Sequence, residues 1–190
     1  MDRIRKALEI SFERHREQKR KVSGAPYIVH ILDVAKYLLS EPDVPEDVIV
    51  AGILHDTLED TDYSPEELEQ EFGKSVLDLV QFATEPAHKV NTSKEEKVRT
   101  WKTRKQNTIY SSRRASREEM LVLLADKLSN LQSIKESRIA KGESIWKAFN
   151  ASKKDIAWYY RSLRNEFKVK LKDTRMFKIF NELVDEIFGS

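Results

Sequence analysis

The residues best suited to chemistry stand at the end of a short apolar run. Residues 48–54 are all apolar, His55 and Asp56 follow them directly, and Glu59 and Asp60 come within the next turn. At helical spacing Asp56 lies over Asp60, and the acids stand where the helix dipole disfavours anions. A bound cation would reverse each of these penalties. The pattern therefore predicts a metal site, the alternative being a solvated and frayed helix end.

A second acid interrupts an apolar stretch later in the chain. Asp126 is flanked by Leu124 and Leu128, so an isolated carboxylate would be costly to bury there. A salt bridge to Lys127 is not expected, because neighbouring side chains on a helix diverge. We therefore interpret Asp126 as a functional acid, the alternative being a structural acid bonded to a lysine elsewhere in the fold.

Composition and length limit the remaining choices. The 190 residues are 39% hydrophobic and 35% charged, which is typical of one soluble domain. The longest apolar run is too short to span a bilayer, and no stretch of signal-peptide type follows the N-terminus, so we expect a cytoplasmic protein. Because the chain has no cysteine, a metal ion must use imidazole and oxygen ligands.

Charge is unevenly distributed along the chain. Residues 41–85 contain fourteen acids and one base, whereas residues 89–117 contain ten bases and two acids. This pattern predicts an acidic part that can hold a cation beside a basic part that can hold an anion. Lys102, Arg104 and Lys105 are the candidates for holding phosphates, a solvated basic helix face being the plain alternative. A long nucleic acid is disfavoured, because the neighbouring acids would repel it.

Apolar spacing predicts helices throughout and no strands. The expected helices run from near Ile4 into residues 19–21, from Pro26, from Pro45, over 64–72, through 76–82, over 94–110, from Ser116, and over 144–167 and 174–188. A polar connection is expected over residues 84–93. We predict one domain over residues 1–190, with the motifs in a core of about residues 19–137 and C-terminal helices at 144–188 packed on it.

The order of His30, then His55-Asp56, then Asp126 resembles the H…HD…D pattern of the HD-domain metal-dependent phosphohydrolases. Within that superfamily the chain is similar to the hydrolase half of the RelA/SpoT alarmone enzymes. The similarity lies in four blocks, residues 23–30, 54–61, 72–76 and 124–131. No room remains for the synthetase domain of that family, so the nearer parallel is a stand-alone small alarmone hydrolase.

The resemblance implies an all-α HD-domain bundle and gives roles to individual residues. Four positions match metal ligands, usually of Mn²⁺: His30, His55, Asp56 and Asp126. Two match the acidic pair that orients and deprotonates the attacking water: Glu59 and Asp60. Four align with positions that contact the nucleotide base and sugar: Lys21, Ser23, Asn130 and Ser133. Val22 and Ile31 depart from the family pattern, where a basic residue and a proline are usual.

Two imidazoles and two carboxylates suit a divalent ion that accepts mixed nitrogen and oxygen ligands, Mn²⁺ or Fe²⁺ before Zn²⁺. The resemblance to the RelA/SpoT hydrolases implies the activity, and we predict a guanosine-3′,5′-bis(diphosphate) 3′-pyrophosphohydrolase. Two alternatives stay open, an HD phosphohydrolase acting on another nucleotide or phosphoester and a non-catalytic nucleotide-binding sensor. The expected partner is a small nucleotide, with neither nucleic acid nor membrane, and the oligomeric state is open, a homodimer being allowed.

Overall fold

The computed structural model describes residues 1–84 and 93–189. Within these ranges the regular structure is helical, apart from a single β-bridge between Lys19 and Pro26. The α-helices are α1 Asp2–Arg14, α2 Ile28–Ser40, α3 Glu46–Leu54, α4 Thr57–Asp60, α5 Pro65–Phe72, α6 Lys74–Ala83, α7 Lys94–Ser112, α8 Arg117–Lys141, α9 Lys153–Leu171 and α10 Arg175–Phe188. A 3-10 helix, Gly142–Ala148, follows α8. The predicted all-α class is confirmed.

Helix starts follow local sequence signals. Ser64 and Ser116 each accept a hydrogen bond from the backbone N–H three residues on, and the Glu at that position bonds back to the serine N–H. These capping boxes satisfy donors that a helix start leaves without partners. Ser93, Ser152 and Thr174 cap α7, α9 and α10 in the simpler one-way manner.

Three predicted boundaries were wrong. Helix α1 ends at Arg14, and residues 15–27 form a loop closed by a hydrogen bond from Arg20 N to Ala25 O. The helix expected over 144–167 is broken, because residues 142–148 form a 3-10 helix that ends at Phe149 and Ser152 caps the start of a new α-helix. The third concerns the acids after His55. The chain turns at Asp56, so Glu59 and Asp60 lie on a separate one-turn helix, α4, and not on a continuation of α3.

The polar connection expected over residues 84–93 lies outside the described residues, except at its two ends. No described helix is both long and apolar enough to cross a bilayer. The division into a motif-bearing core and C-terminal helices stays a prediction.

Helix α8 is the central element of the fold. It packs against α2, α3, α6, α9 and α10, and 12 of its 25 residues are buried. All seven residues from 48 to 54 in α3 are buried, as the apolar run predicted. One connected cluster of buried side chains extends from Ile4 in α1 to Ile187 in α10. Burial of this apolar surface is the main stabilising contribution and holds the helix ends that carry the polar residues.

Gly52 allows α2 and α3 to approach closely. A Cβ atom at this position would lie 2.3 Å from Leu38 Cδ1 and 3.3 Å from Val34 Cγ1. Both neighbours are fully buried in a close-packed core and have little room to move. Since His30 lies on α2 and His55 directly follows α3, the spacing of these two helices also sets the distance between the two histidines.

Replacing Gly52 with alanine should therefore destabilise the protein by about 1–3 kcal/mol through overpacking. It should also weaken the binding of divalent metal, because α2 is pushed away from α3. Urea denaturation and metal titration measure the two effects.

The matched control combines Gly52→Ala with Leu38→Ala, which removes the methyl group that a Cβ atom at position 52 would meet. Leu38→Ala alone should cost about 2–5 kcal/mol. The double variant should cost less than the sum of the singles, because the two sites are in contact. Wild-type stability and metal affinity in Gly52→Ala would show that the glycine does not set the helix spacing.

Candidate metal centre

Four donor atoms from three helical segments meet in a buried cluster. His30 Nε2 lies 3.2 Å from His55 Nε2, and Asp56 Oδ2 lies 2.9 Å from His55 Nε2 and 3.7 Å from His30 Nε2. Asp126 Oδ1 lies 3.5 Å from His30 Nε2 and 3.8 Å from His55 Nε2. Both imidazoles are almost fully buried. The structure thus brings together all four residues that the sequence put forward as ligands.

Hydrogen bonds outside the cluster orient both imidazole rings. His55 Nδ1 lies 2.8 Å from the Gly52 carbonyl oxygen, which only accepts, so Nδ1 carries a hydrogen and donates. His30 Nδ1 lies 2.8 Å from the Ser129 hydroxyl. Each ring therefore turns its Nε2 inward, as metal-binding histidines held by an outer hydrogen bond do.

Each carboxylate is also held from outside. The Tyr27 hydroxyl donates to Asp56 Oδ2. Asn130 Nδ2 donates to Asp126 Oδ1 at 2.5 Å, and Lys127 Nζ lies 2.5 Å from Asp126 Oδ2. The expectation that Lys127 could not reach Asp126 was wrong, because the flexible lysine side chain bends back along the helix. Asp126 therefore has both a structural partner and a place in the cluster.

Burial and charge set the protonation of the cluster. Burial lowers the pKa of His30 to about 3, and the charge of His55 acts in the same direction. Burial also opposes the charge of His55, but the adjacent Asp56 carboxylate raises the pKa of His55 to about 9. For Asp56, burial raises the pKa but His55 outweighs it, so the pKa is lowered. At neutral pH one proton, on His55, offsets the two carboxylates in part.

The donor set fits a divalent cation. Ligand atoms about 2.1 Å from an ion and at right angles to each other lie about 3 Å apart, close to the shorter separations found here. Neutral imidazole and carboxylate are the ligands that first-row divalent ions accept together. His30, His55, Asp56 and Asp126 could therefore hold such an ion.

The two other acids lie just beyond the cluster. Glu59 and Asp60 are on α4, whose N-cap residue is Asp56. Glu59 is half-buried, and Asp60 is exposed and accepts a hydrogen bond from Gln18 Nε2 at 2.7 Å. Both are thus carried on the same short helix, one turn after a member of the cluster.

A cavity of about 350 Å³ adjoins the cluster. Tyr27, Lys127 and Asn130 line it, and each of them donates to a carboxylate of the cluster. Its cationic lining residues are Lys19, Arg20, Lys21, Lys105 and Lys127. Its aromatic lining residues are Tyr27, Trp101, Phe149, Tyr159 and Tyr160. Cations beside aromatic rings suit a ligand that has phosphates and a planar base.

The residues predicted to contact substrate fall into two groups. Those that line the cavity are Lys21, Asn130, Ser133 and Lys105. Ser23 instead lines a neighbouring cavity of about 260 Å³, which shares Arg20 and Ser133 with the first. Lys102 lies 3.9 Å from Asp155, and Arg104 donates to Thr100 and to the Lys97 carbonyl, so both are directed elsewhere on the described surface.

A protein-family model described as HD domain matches residues 7–157, most of the chain. The chain belongs to the HD-domain family. In this HD domain His30, His55 and Asp56 form a group of donors that could hold a metal ion.

Relatives of this HD domain include named enzymes. Guanosine-3′,5′-bis(diphosphate) 3′-pyrophosphohydrolase of Aquifex aeolicus is 47% identical over 83 residues, 44% of this chain and 12% of that protein. The Homo sapiens protein guanosine-3′,5′-bis(diphosphate) 3′-pyrophosphohydrolase MESH1 is 35% identical over 130 residues, 67% of each chain. This chain thus spans a small part of the first relative and about two thirds of the second.

A solved structure confirms the HD fold. It is described as a metazoan ortholog of SpoT that hydrolyzes ppGpp, and it matches with a TM-score of 0.77 at 24% identity. The match covers 100% of this chain and 98% of the other. The C-terminal helices are therefore included in the shared fold.

Sequence reasoning missed several residues of this HD domain. Tyr27 stands in the motif block of residues 23–30 but was given no role, and its hydroxyl donates to Asp56. Arg20 donates to Asn130, which in turn donates to Asp126. Tyr159 and Tyr160 were given no role, and they are buried but also line the cavity. A helical stripe of aromatic residues looks the same in either role, so spacing could not separate them.

Binding of a divalent ion should release about one proton near pH 7. His55 carries that proton in the metal-free protein, because its pKa is raised to about 9, whereas His30, with a pKa of about 3, carries none. Coordination needs a bare Nε2 on both rings. Apparent affinity should therefore rise with pH and level off above about 9. Calorimetry in buffers of different protonation enthalpy measures the release.

Asp33→Asn is the matched control, because Asp33 lies on α2 with His30 but pairs with Lys36 outside the cluster. It should release the same number of protons as the wild type. Release of no proton, or of two, would contradict the assignment of protonation to His55 alone.

Proposed function

We propose that this HD domain is a metal-dependent guanosine-3′,5′-bis(diphosphate) 3′-pyrophosphohydrolase. One observation carries the proposal. The buried cluster of two histidines and two aspartates adjoins a cavity with cationic and aromatic walls, and three cavity residues bond directly to the carboxylates of the cluster. A nucleotide in the cavity would therefore have a phosphate beside the donors that hold the ion.

Residue roles follow from this arrangement. His30, His55, Asp56 and Asp126 would hold the ion, for which we propose Mn²⁺, with Fe²⁺ or another divalent ion as alternatives. When bound, such an ion activates water and polarises a phosphate oxygen. Glu59 and Asp60, on the helix that begins at Asp56, would orient the attacking water and accept its proton.

The cavity walls would hold the rest of the substrate. Lys127 and Lys105 place cationic groups on the cavity side of the cluster and would contact phosphates. Lys21, Asn130 and Ser133 would contact the base and sugar, with Ser23 reached from the neighbouring cavity. We expect less from Lys102 and Arg104, whose side chains are directed away.

The names of two relatives support the choice of substrate. The Aquifex aeolicus and human proteins both carry the name of this activity, at 47% and 35% identity. A small nucleotide is thus the proposed partner. The cytoplasmic location stays a prediction from sequence, and the oligomeric state stays open.

A second candidate is hydrolysis of another nucleotide. The rings of Trp101, Tyr159 and Tyr160 favour it, because stacking on aromatic side chains accepts any base. These aromatic side chains would bind a nucleoside but would not distinguish guanine from other bases.

A substrate panel tests the proposal. Guanosine-3′,5′-bis(diphosphate), its adenosine counterpart, GDP and a simple aryl phosphate are incubated with Mn²⁺, and ³¹P NMR separates pyrophosphate from orthophosphate. We expect pyrophosphate from the first compound and little product from the others. Pyrophosphate from the adenosine compound at a similar rate, or orthophosphate from several compounds, would favour the second candidate. Binding without any turnover would identify a nucleotide sensor.

The combined substitution Glu59→Gln and Asp60→Asn should separate binding from chemistry. Loss of the proton acceptor should lower kcat by about 10²–10⁴-fold. Metal binding should be kept, since neither acid is assigned as a ligand, and substrate affinity should hold or rise as two negative charges near the phosphates are removed. Single-turnover kinetics and metal titration measure these quantities.

Glu66→Gln with Glu69→Gln is the matched control, because it removes two acids from the exposed face of the next helix. It should keep the wild-type kcat. Loss of metal in the Glu59/Asp60 variant would instead make these acids ligands. Activity within about threefold of wild type would remove them from the chemistry, because a missing proton acceptor costs far more.

A further inference from the structure

The loop after α1 reaches the water-handling acids through two side chains. His15 Nδ1 lies 2.5 Å from Gln18 Oε1, and Gln18 Nε2 lies 2.7 Å from Asp60 Oδ2. Neither His15 nor Gln18 belongs to the donor cluster, and neither has been given a role above. The three groups form a continuous chain of hydrogen bonds that ends on a carboxylate.

The chemistry of the groups gives this chain one direction. An ionised carboxylate only accepts, so the amide NH₂ of Gln18 must face Asp60. Oε1 of Gln18 then faces His15, and it also only accepts, so His15 Nδ1 must carry a hydrogen. Turning the amide around would set its oxygen against the carboxylate. Each group therefore has a single favourable orientation.

Within the part of the chain that the structure describes, the hydrogen bond to Gln18 is the one interaction of His15 that a phenyl ring could not make. The ring is 2% exposed and its centroid lies 5.0 Å from that of Tyr27. Its Nε2 is buried without a hydrogen-bond partner among the described residues, which is costly. A phenyl ring would fill the same space without that cost. What histidine adds here is the Nδ1 hydrogen directed at Gln18.

Gln18 also connects the acid to the donor cluster. Its backbone carbonyl accepts from Tyr27 N at 2.9 Å, and the Tyr27 hydroxyl donates to Asp56. One residue thus fixes Asp60 through its side chain and Tyr27 through its backbone. Helix α1 is tied to the same region, since Ser11 Oγ donates to the Ile53 carbonyl at 2.7 Å.

We propose that Gln18 is a positioning residue for Asp60 and that His15 acts through it. The inference rests on the proposed function, in which Asp60 helps to handle the attacking water. The Gln18 amide donates to one oxygen of the Asp60 carboxylate and so fixes the orientation of that side chain. Asp60 is thereby kept from becoming a ligand of the ion. The imidazole keeps the amide from turning.

Gln18→Leu tests this inference, because leucine is of similar size and cannot bond Asp60. We expect kcat to fall about 10- to 100-fold, as for a small misplacement of a reacting group, with KM and metal affinity unchanged. His15→Phe keeps the ring against Tyr27 and should lower kcat less. The double variant should have the same kcat as Gln18→Leu, because both substitutions act on the orientation of Asp60.

Arg14→Met is the matched control. Arg14 is the last residue of α1, directly before His15, and it pairs with Asp62, two residues after Asp60. Its loss therefore loosens that segment without removing a contact of Asp60. It should keep the wild-type kcat. If Gln18→Leu behaves like Arg14→Met, the inference is overturned while the proposed function stands. His15→Phe gives an independent test should Gln18→Leu fold poorly.

A measurement that needs no turnover tests the chain of hydrogen bonds from His15 to Asp60 by itself. The ¹⁵N shifts of the His15 ring, recorded on the Mg²⁺-loaded protein, should show hydrogen on Nδ1 in the wild type and a loss of that preference in Gln18→Leu. This result holds whether or not any nucleotide is hydrolysed. Hydrogen on Nε2 of His15 in the wild type would overturn the inference directly.

Discussion

The structure depends on holding four mutually repelling donor atoms within one small buried space. The two imidazole nitrogens lie 2.9–3.8 Å from each other and from the two carboxylate oxygens. In a region of low dielectric such an arrangement is unfavourable unless positive charge lies among the donors. A proton on His55 supplies part of it, and a divalent ion would supply more. The surrounding helices, outer hydrogen bonds and packing are what keep the donors from separating.

Much of this could be predicted from residue types and their order. His55 with Asp56, and Asp126, were found because polar residues interrupted apolar runs, and burial makes that interruption costly. His30 was found only through the resemblance to the H…HD…D pattern. The helical class followed from apolar spacing and from serine caps. These signals are local, because the spacing of apolar residues within a helix shows which of its faces is buried.

The remaining details depend on contacts between distant segments or on side-chain flexibility. Spacing could not show that Lys127 bends back to Asp126, because that depends on lysine rotamers. Tyr159 follows the pattern of a core residue and is one, yet it also forms a cavity wall. The break between α3 and α4 was missed because apolar periodicity gives no sign of a turn at Asp56.

The donors come from α2, from the end of α3 and from α8, segments that lie far apart along the chain. In the unfolded chain these atoms have no reason to meet, so an ion that needs all of them binds the native state alone. Its binding free energy then adds to folding stability as RT ln(1 + [L]/Kd). The resistance of the chain to unfolding thereby becomes a function of how much free metal surrounds it. A site placed for chemistry would also act as a cross-link between the first and the second half of the protein.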